Sequence, residues 1–569
     1  MDDVTALCKR RGFIYQASEI YGGLNGFWDY GPLGAQLKKN LRDAWWQDMI
    51  MNPCWGRKGP DFGGGGDRVR CVPVETCIIQ HPKVWEASGH VAGFNDPMVD
   101  DKETKQRFRA DHFFGFVGIE VDDVEGNFDD QLARTALVHN LRNGTVHPRV
   151  TFVAGTIGEV PILDKSLLKK LGFEFKGMGS GDCMALMALG VMPADFVDLR
   201  TKRTLRGAIC QVPLPYMQQR FAEVPSPFTG KKGTLTEPRQ FNLMFKTYTG
   251  ATATEDDKVY LRPETAQGIF VQFKNVVDTT RVKLPFGIGN TGKSFRNEVT
   301  PRNYTYRSRE FEQMELEFFC HPGESQAWYK FWRDFRMEWW TSLGLAGENL
   351  RLREHAKDEL SHYSTGTSDV EYRFPFTYPD FGELEGIAHR GCFDLEQHQK
   401  HSGAKLEYFD QDRGELLPNG SKKGERYLPH VIEPAAGLDR GVLAVLCEAY
   451  TKDATRASPE IMRFHPRLAP IKAAVFPLVN KEGMPEVAEK LHDELHAKFG
   501  RGGFIETDAK QSIGKRYARM DEAGCPYCFT IDGDSAQDNT GTCRDRDSGA
   551  QQRLAIDQVG AFLSEKLEV

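Results

Sequence analysis

Residues 293–317 read KSFRNEVTPRNYTYRSREFEQMELE, and no other stretch narrows the choice of fold so far. Two strand-like runs flank a short polar turn expected at Thr300–Asn303. Side chains on a strand alternate faces with a period of two. The spacing therefore predicts Arg296 and Glu298 on one face, and Phe311, Gln313 and Glu315 together on one face of the returning strand. Such a hairpin suits a charged, planar ligand. Arginine offers a fork that grips phosphate or carboxylate with two bonds, and Phe311 offers a ring on which a nucleobase can stack. Taken alone, the same residues also fit a solvated amphipathic hairpin whose charges only protect a sheet edge.

Two further stretches bear on that choice. In YLPHVIEPAAGLDRGVLAVLCEAY, residues 427–450, alternating apolar residues end at Glu433-Pro434. Gly437 then opens a run with Leu438, Val442, Val445, Leu446 and Ala449 at helical spacing. Arg440 falls in the first helical turn, where the helix N-terminus and the guanidinium both favour an anion. In GPLGAQLKKNLRDAWWQDMIMNP, residues 31–53, Leu37, Leu41, Trp45 and Met49 recur every fourth residue before Pro53, the pattern of an amphipathic helix.

The Phe-Arg-x-Glu run with Arg307-x-x-x-Phe311 resembles motif 2 of the class II aminoacyl-tRNA synthetases. The strand-to-helix junction at Glu433–Arg440 resembles motif 3, and residues 31–53 resemble motif 1, the dimer-interface element. Longer strings narrow the resemblance. WEASGH (85–90), FRADH (108–112), LTEPRQFNLMFKT (235–247), YLRPETAQGIFVQFKN (260–275), FEQMELEFF (311–319), GELEGIAHR (382–390) and SIGKRYARMDEAG (512–524) are all similar to glycyl-tRNA synthetases of the single-polypeptide, homodimeric type. They keep that family's order along most of the chain.

Length and composition agree with a large soluble enzyme. A chain of 569 residues is too long for one core and predicts several domains. Hydrophobic residues make up 40% and charged residues 27%, and no apolar run reaches membrane-spanning length. The formal charge is −7, from 73 basic and 80 acidic residues, so any RNA surface must be a local patch. Twelve scattered cysteines and no secretory hydrophobic region point to reduced thiols and a cytoplasmic protein. Cys525 and Cys528 form a lone CxxC, too little for zinc or for a redox pair. Ser226–Gly230 stands where many relatives carry a Cys-Pro-x-Cys-Gly element, and without those cysteines a structural zinc is not expected. The GGGG run at 63–66 lacks the Lys-Ser/Thr of a P-loop and reads as a loop.

The resemblance implies a multidomain α/β and α+β fold. A class II antiparallel-sheet catalytic domain occupies 1–112 and 235–465, with an insertion domain at 113–234 and a C-terminal α/β anticodon-binding domain at 470–569. The last follows from strand–helix alternation as well. The insertion carries a glycine-rich turn at 176–182 and the basic residues Lys165, Lys169, Lys170, Arg200, Lys202, Arg203 and Arg206. They fit either an acceptor-end contact or a solvated packing module. Lys510, Lys515, Arg516, Arg519, Arg544 and Arg546 offer a basic surface in the C-terminal domain.

The implied chemistry is activation of glycine by ATP, followed by transfer of the glycyl group to a terminal ribose hydroxyl of tRNA(Gly). Bringing a carboxylate onto a phosphate requires neutralisation and alignment rather than a side-chain nucleophile. Arg296 is the candidate bridge between carboxylate and α-phosphate, and Arg307 and Arg440 are candidates for the outer phosphates. Asn297, Glu298, Phe311, Leu384 and Gly437 fall at nucleotide positions, with Glu298 accepting from the adenine amino group. Glu383 is a candidate ligand for a magnesium ion bridging phosphates. Glu264, Glu315 and Glu433 match positions around the substrate ammonium. Arg109, Phe311, Gln313, Ala435 and Gly437 complete the glycine set. For Arg109 an ion pair with Asp111 is an equal reading, and surface salt bridges are the alternative for the three glutamates. Relatives usually read Glu-Pro-Ser where this chain has Glu433-Pro434-Ala435, so one hydroxyl at the glycine site is missing. Two other classes of function stay open on these residues: a synthetase-like RNA-binding protein without activity, and an adenylate-forming enzyme that charges a carrier protein.

Overall fold

The computed structural model describes residues 1–62, 66, 68–119, 150–157, 168–169, 172–177, 191–202, 204–250, 253–356, 364–418, 422–456 and 458–567. The chain divides into two compact units, one of residues 1–90, 244–296 and 301–569, the other of residues 91–243 and 297–300. Lys165, Lys170, Arg203 and most of the two glycine-rich runs lie outside the described residues.

The first unit is built on a seven-stranded sheet of β1 (Cys71–Pro73), β2 (Phe286–Phe295), β3 (Glu310–Cys320), β4 (Leu350–Glu354), β5 (Gly366–Tyr372), β6 (Gly382–Gly391) and β7 (His430–Gly437). Its order is β4-β5-β6-β7-β3-β2-β1. All neighbours are antiparallel except β1, which runs parallel to β2. Five helices belong to the same region: α1 (Pro32–Trp46), α2 (Ala266–Thr280), α3 (Ser325–Ser342), α4 (Phe393–Ser402) and α5 (Leu438–Ala449).

The period-two pattern of β3 sorts its side chains onto two faces. Met314, Leu316 and Phe318 join the principal core, which also takes Leu37, Leu41 and Trp45 of α1, Trp328, Trp332, Trp339 and Trp340 of α3, and Val442, Leu446 and Ala449 of α5. Arg336 of α3 is fully buried there and forks onto Glu385 of β6 at 2.6 and 2.9 Å, while the Trp340 indole donates to the same carboxylate at 2.6 Å. On the opposite face of β3, Phe319 packs beneath α2 and α4 in a smaller core with Phe270, Phe273, Phe286, Leu395 and Val431. That cover ends partway along the strand, and from there Glu317, Glu315, Gln313 and Phe311 follow in alternation toward the open end.

The hairpin differs from its sequence reading at the turn. Strand β2 ends at Phe295, so Arg296 and Glu298 stand in the connection and strand alternation does not set a shared face for them. The backbone pairing continues past the strand ends, with the Arg296 N–H on the Arg309 carbonyl at 2.9 Å and the Arg302 N–H on the Arg307 carbonyl at 3.2 Å. The chain reverses at Asn303 and Tyr304, both in the left-handed region, and passes through a single 3₁₀ turn at Tyr304–Tyr306. The reversal thus sits a few residues later than Thr300–Asn303.

The motif-like helix α1 ends at Trp46 and continues as a wider π-type turn over Gln47–Met51. Leu37, Leu41, Trp45 and Met49 are all fully buried within the chain's own core. The first turn of α5 is tied to α1 through Asp439, which accepts from the Tyr30 hydroxyl at 2.6 Å, the Lys38 ammonium at 2.7 Å and the Glu312 N–H at 2.6 Å.

The C-terminal portion of this unit alternates strands and helices: β8 (Ile471–Pro477), α6 (Met484–Phe499), β9 (Phe504–Thr507), α7 (Ile513–Ala523), β10 (Tyr527–Ile531), β11 (Thr540–Asp545), β12 (Gln551–Ala555) and α8 (Val559–Leu567). Sheet order is β9-β8-β10-β11-β12, parallel through β9, β8 and β10 and antiparallel beyond. All seven residues of β8 are buried, as expected of a central parallel strand.

Three of the six basic residues expected on its surface are buried instead. Arg516 donates to the carbonyls of Pro477, Asp508 and Leu478. Arg544 forks onto Asp521 at 2.8 Å through both terminal nitrogens, and Arg546 donates to the carbonyls of Gly524 and Phe464. Lys510, Lys515 and Arg519 are exposed.

The second unit holds a five-stranded antiparallel sheet, in the order Val150–Ile157, Phe113–Ile119, Thr204–Pro213, Val191–Asp198, Phe173–Gly177, and a three-stranded sheet of Arg239–Asn242, Asn95–Asp100 and Arg107–Arg109. No helix of the described residues is long and apolar enough to cross a membrane.

Candidate functional site

The open face of the large sheet is read from its register. Glu315 lies opposite Asn290 on β2 and Ala435 on β7, Gln313 opposite Gly292 and Gly437, and Ala435 in turn opposite Gly386 on β6. Glu315, Gln313, Phe311, Ala435 and Gly437 therefore share one floor. Glycines at 292, 386 and 437 keep it low. At Gly292 the reason is a close approach: an added Cβ would stand 2.2 Å from a guanidinium nitrogen of Arg262. That arginine donates to the Lys293 carbonyl at 2.6 Å and the Thr76 carbonyl at 2.8 Å, and so anchors the segment bearing Glu264 across β2.

At the inner end of the floor four glutamates converge: Glu264 just before α2, Glu315 and Glu317 on β3, and Glu433 on β7. Thr265 donates to Glu315, and the Gln313 amide donates to the same carboxyl at 2.6 Å. Arg390 of β6 reaches Glu433 at 2.6 Å and holds Asp394 of α4 at 2.8 and 3.0 Å. Gln267 links Glu264 at 3.0 Å to Asp394 at 2.9 Å, and His398 bonds to Gln267 at 2.8 Å. His90, at the end of the WEASGH string, stands 3.4 Å from Glu264 and 2.8 Å from the Ser88 hydroxyl.

These acids do not titrate alike. Burial, then the charges of Glu433 and Glu264, push the Glu315 carboxyl up to about 8. Burial and Glu433 drive Glu317 well above the carboxylate range. Burial also raises Glu433, against the pull of Arg390. Glu264 is the exception: burial opposes its charge, but His90, Arg390 and Gln267 together hold its carboxyl below the usual range. Like charges in a dry site cannot all ionise, so the cluster is primed to gain from an arriving cation. The Gln313 carbonyl oxygen and the Asn290 side-chain oxygen beside it are buried without a partner, which adds acceptors at the same spot.

At the outer end stand the cations and the ring. Arg296 is tethered through Nε to the Pro263 carbonyl at 3.0 Å, with its guanidinium carbon 5.3 Å from the centre of the Phe311 ring. Arg440, in the first turn of α5, donates to the Glu383 carbonyl oxygen at 3.0 Å and lies 4.5 Å over the Tyr306 ring. Its guanidinium is 3.3 Å from the half-exposed Glu383 carboxylate and, with a smaller pull from Arg296, keeps that carboxyl below its ordinary value. Leu384 is buried next to Glu383. Arg307 sits in the hairpin connection just past the Tyr304–Tyr306 turn.

The structure thus groups Arg296, Phe311, Gln313, Glu264, Glu315, Glu433, Ala435, Gly437, Glu383 and Arg440 on one unit. Arg109, Asn297 and Glu298 belong to the second unit. There Arg109 pairs with Asp111 at 2.6 Å and Asp96 at 3.0 Å, with Glu298 adding to its field. Among the described residues no three His, Cys, Asp or Glu side chains are grouped so as to hold a metal ion by themselves. Sequence reasoning passed over Glu317, Arg262 and His90. Glu317 was marked by the alternation 311, 313, 315, 317, and the other two stand inside strings already singled out.

Comparison with known proteins places these features in context. Residues 245–513 match the tRNA synthetase class II core domain (G, H, P, S and T), and residues 472–566 match the anticodon binding domain. The chain is 45% identical over 591 residues to a glycine–tRNA ligase of Rhodopirellula baltica, an alignment covering 100% of this chain and 99% of that protein. It is 42% identical over 571 residues to a glycine–tRNA ligase of Staphylococcus aureus, covering 100% and 98%.

Proposed function

The chain belongs to the glycine–tRNA ligases of class II and joins glycine to tRNA(Gly) with ATP, and we propose the following division of labour among its side chains. The observation that carries it is the polarity of the floor, cationic and aromatic at one end and a buried nest of carboxylates at the other.

Glycine lies with its ammonium toward Glu264, Glu315 and Glu433 and its carboxylate toward Arg296. The smallest amino acid cannot be chosen by filling a side-chain pocket, since one methyl group is worth only about 1–3 kcal/mol of discrimination. Selection comes from walls that leave no room. Glu315 and Ala435 face each other across adjacent strands, and a side chain on the substrate would have to displace a hydrogen-bonded carboxylate. ATP lies along the outer floor with its adenine on Phe311. The Arg296 guanidinium, whose Nε donates to the Pro263 carbonyl, spans the α-phosphate and the attacking carboxylate with its planar fork. The backbone at Leu384 and Gly437 lines the nucleotide. For Glu298, Asn297 and Arg109, which belong to the second unit, contacts to adenine, nucleotide and glycine are what the family motifs imply. Arg307 and Arg440 take the outer phosphates and stabilise departing pyrophosphate.

Class II synthetases work with magnesium, and Glu383 suits it. A magnesium ion takes one or two protein carboxylates and completes its shell with phosphates and water, and Glu383 is half-exposed and kept ionised by Arg440. The ion's contribution is to neutralise phosphate charge. Lys510, Lys515 and Arg519 are the proposed phosphate contacts of the C-terminal domain. We also place the enzyme in the cytoplasm as a homodimer, from its scattered cysteines and its motif 1.

ATP–pyrophosphate exchange with each of the common amino acids, followed by charging of tRNA, tests this reading. Exchange with glycine alone and charging of tRNA(Gly) are expected. Exchange with alanine at a similar rate would remove the assigned basis of selection.

A further inference from the structure

Glu317 is the one member of the carboxylate nest to which the proposed function gives no part. It is 0% exposed, one strand period below Glu315 on the same face. Among the described residues, no N–H or O–H donor bonds to either of its carboxyl oxygens. The register sets Glu433 of β7 beside it, and after burial the Glu433 charge is the first that acts on it. Two carboxyls can bond to each other only if one keeps its proton. The nearby guanidinium does not offer an alternative, because Arg390 places one nitrogen on Glu433 and turns the others onto Asp394.

We propose that Glu317 is a positioning residue that remains a carboxylic acid and donates a hydrogen bond to Glu433, and that the glycine ammonium enters this pocket in exchange for one proton, released to solvent from the Glu315–Glu433 pair. This rests on reading the nest as the ammonium pocket and says how that pocket works. The groups facing it from each packed element are Glu315 on β3, Glu433 on β7, Arg390 on β6, Asp394 and His398 on α4, Gln267 on α2, and Glu264, His90 and Arg262 ahead of α2, the last acting on Glu315 from across β2; strand β2 itself contributes the neutral Ile288 and Asn290. Before substrate arrives, the dry pocket keeps protons so as to avoid several adjacent negative charges. The ammonium supplies the compensating charge, and the proton nearest to it leaves. The proton on Glu317 stays, because that residue is deepest and points at a carboxylate. A fixed donor there holds the Glu433 carboxylate facing the substrate.

The sign of the pH effect follows. Burial holds Glu315 protonated up to about 8, so below that pH glycine must displace a proton and binds more tightly as pH rises. In pyrophosphate exchange by the full-length enzyme, kcat/KM for glycine is expected to climb by up to about tenfold per pH unit below pH ~8, while kcat/KM for ATP stays level. A level glycine profile overturns the proton exchange. Glu317→Leu is expected to raise the glycine KM about tenfold or more with the ATP KM unmoved, and Glu317→Gln, whose amide is a permanent donor to Glu433, to restore it to within about threefold. Equal losses in both variants overturn the donor role. If the leucine variant does not fold, the glutamine variant decides, since a glycine KM raised tenfold there has the same meaning. Glu315→Gln separates the two levels of the argument. An unchanged glycine KM in that variant rejects the nest as the glycine pocket, and the proton exchange with it. A raised KM supports the pocket, and the two Glu317 variants then decide the donor role.

Discussion

Residues at the ends of the floor carry the sharpest expectations. Arg296 is the proposed bridge between two anions that must meet, so Arg296→Ala should lower glycine-dependent pyrophosphate exchange by about 10²–10³-fold or more, in line with loss of a transition-state donor, while circular dichroism and melting stay near wild type. Exchange at the normal rate would reject the bridge. Ala435 stands opposite Glu315, at the position where the family resemblance implies a serine. Restoring one neutral hydrogen bond is worth about 0.5–1.5 kcal/mol, so Ala435→Ser should lower the glycine KM roughly threefold to tenfold without admitting alanine. An unchanged KM would mean that the pocket already compensates, and alanine activation would mean that position 435 guards the space. How far this site was legible follows from the backbone beneath it. Phe311, Gln313 and Glu315 were placed by strand alternation alone, and Glu317 lay one step further along the same pattern. Arg296 and Glu298 were not, because they stand past the end of β2, where no period applies. Their assignment came from the family motif.

Among the elements, α5 is set by one side chain. Asp439 receives three donors from other parts of the chain, and burial of its carboxyl is outweighed first by Lys38 and then by Tyr30 and the Glu312 N–H, so its folded value lies below the ordinary aspartate range. The depressed value means stability that is present above the unfolded value, about 3.9, and lost as pH falls through the folded one. Asp439→Ala should therefore cost about 3–5 kcal/mol near neutrality, because it strands a buried lysine, and should lower the melting temperature by an amount that shrinks toward acid pH. An unchanged melting temperature at pH ~7 would show that Glu312, 3.4 Å from Lys38, suffices as its partner. Charge is a poor guide at this scale. Arg516, Arg544 and Arg546 resemble a basic surface in the sequence but are structural donors inside the C-terminal sheet, since an arginine can be buried where carbonyls or a carboxylate take up its fork. Helical spacing marked α5, and strand–helix alternation marked the C-terminal sheet that holds β8, α6 and α7, because each buries one continuous face or both.

For the whole molecule, two-fold self-association is the expectation drawn from the motif 1 resemblance and from the closed symmetry usual in such assemblies. Light scattering should return twice the chain mass at micromolar concentration, and a fully active monomer would reject it. The helix that carries motif 1 adds a temporal order. Its apolar face, Leu37, Leu41 and Trp45, is already inside the protomer's own core beside Trp328, Trp332, Trp339 and Trp340, so nothing in that core waits for a second copy. Diluted from denaturant, the buried indoles should regain their native emission at a rate independent of protein concentration. Catalytic activity should return later, and faster in concentrated samples, as a bimolecular encounter requires. On that expectation pairing would be a finishing step, and fresh chains at low concentration would pass through a folded, solitary interval before they can charge tRNA.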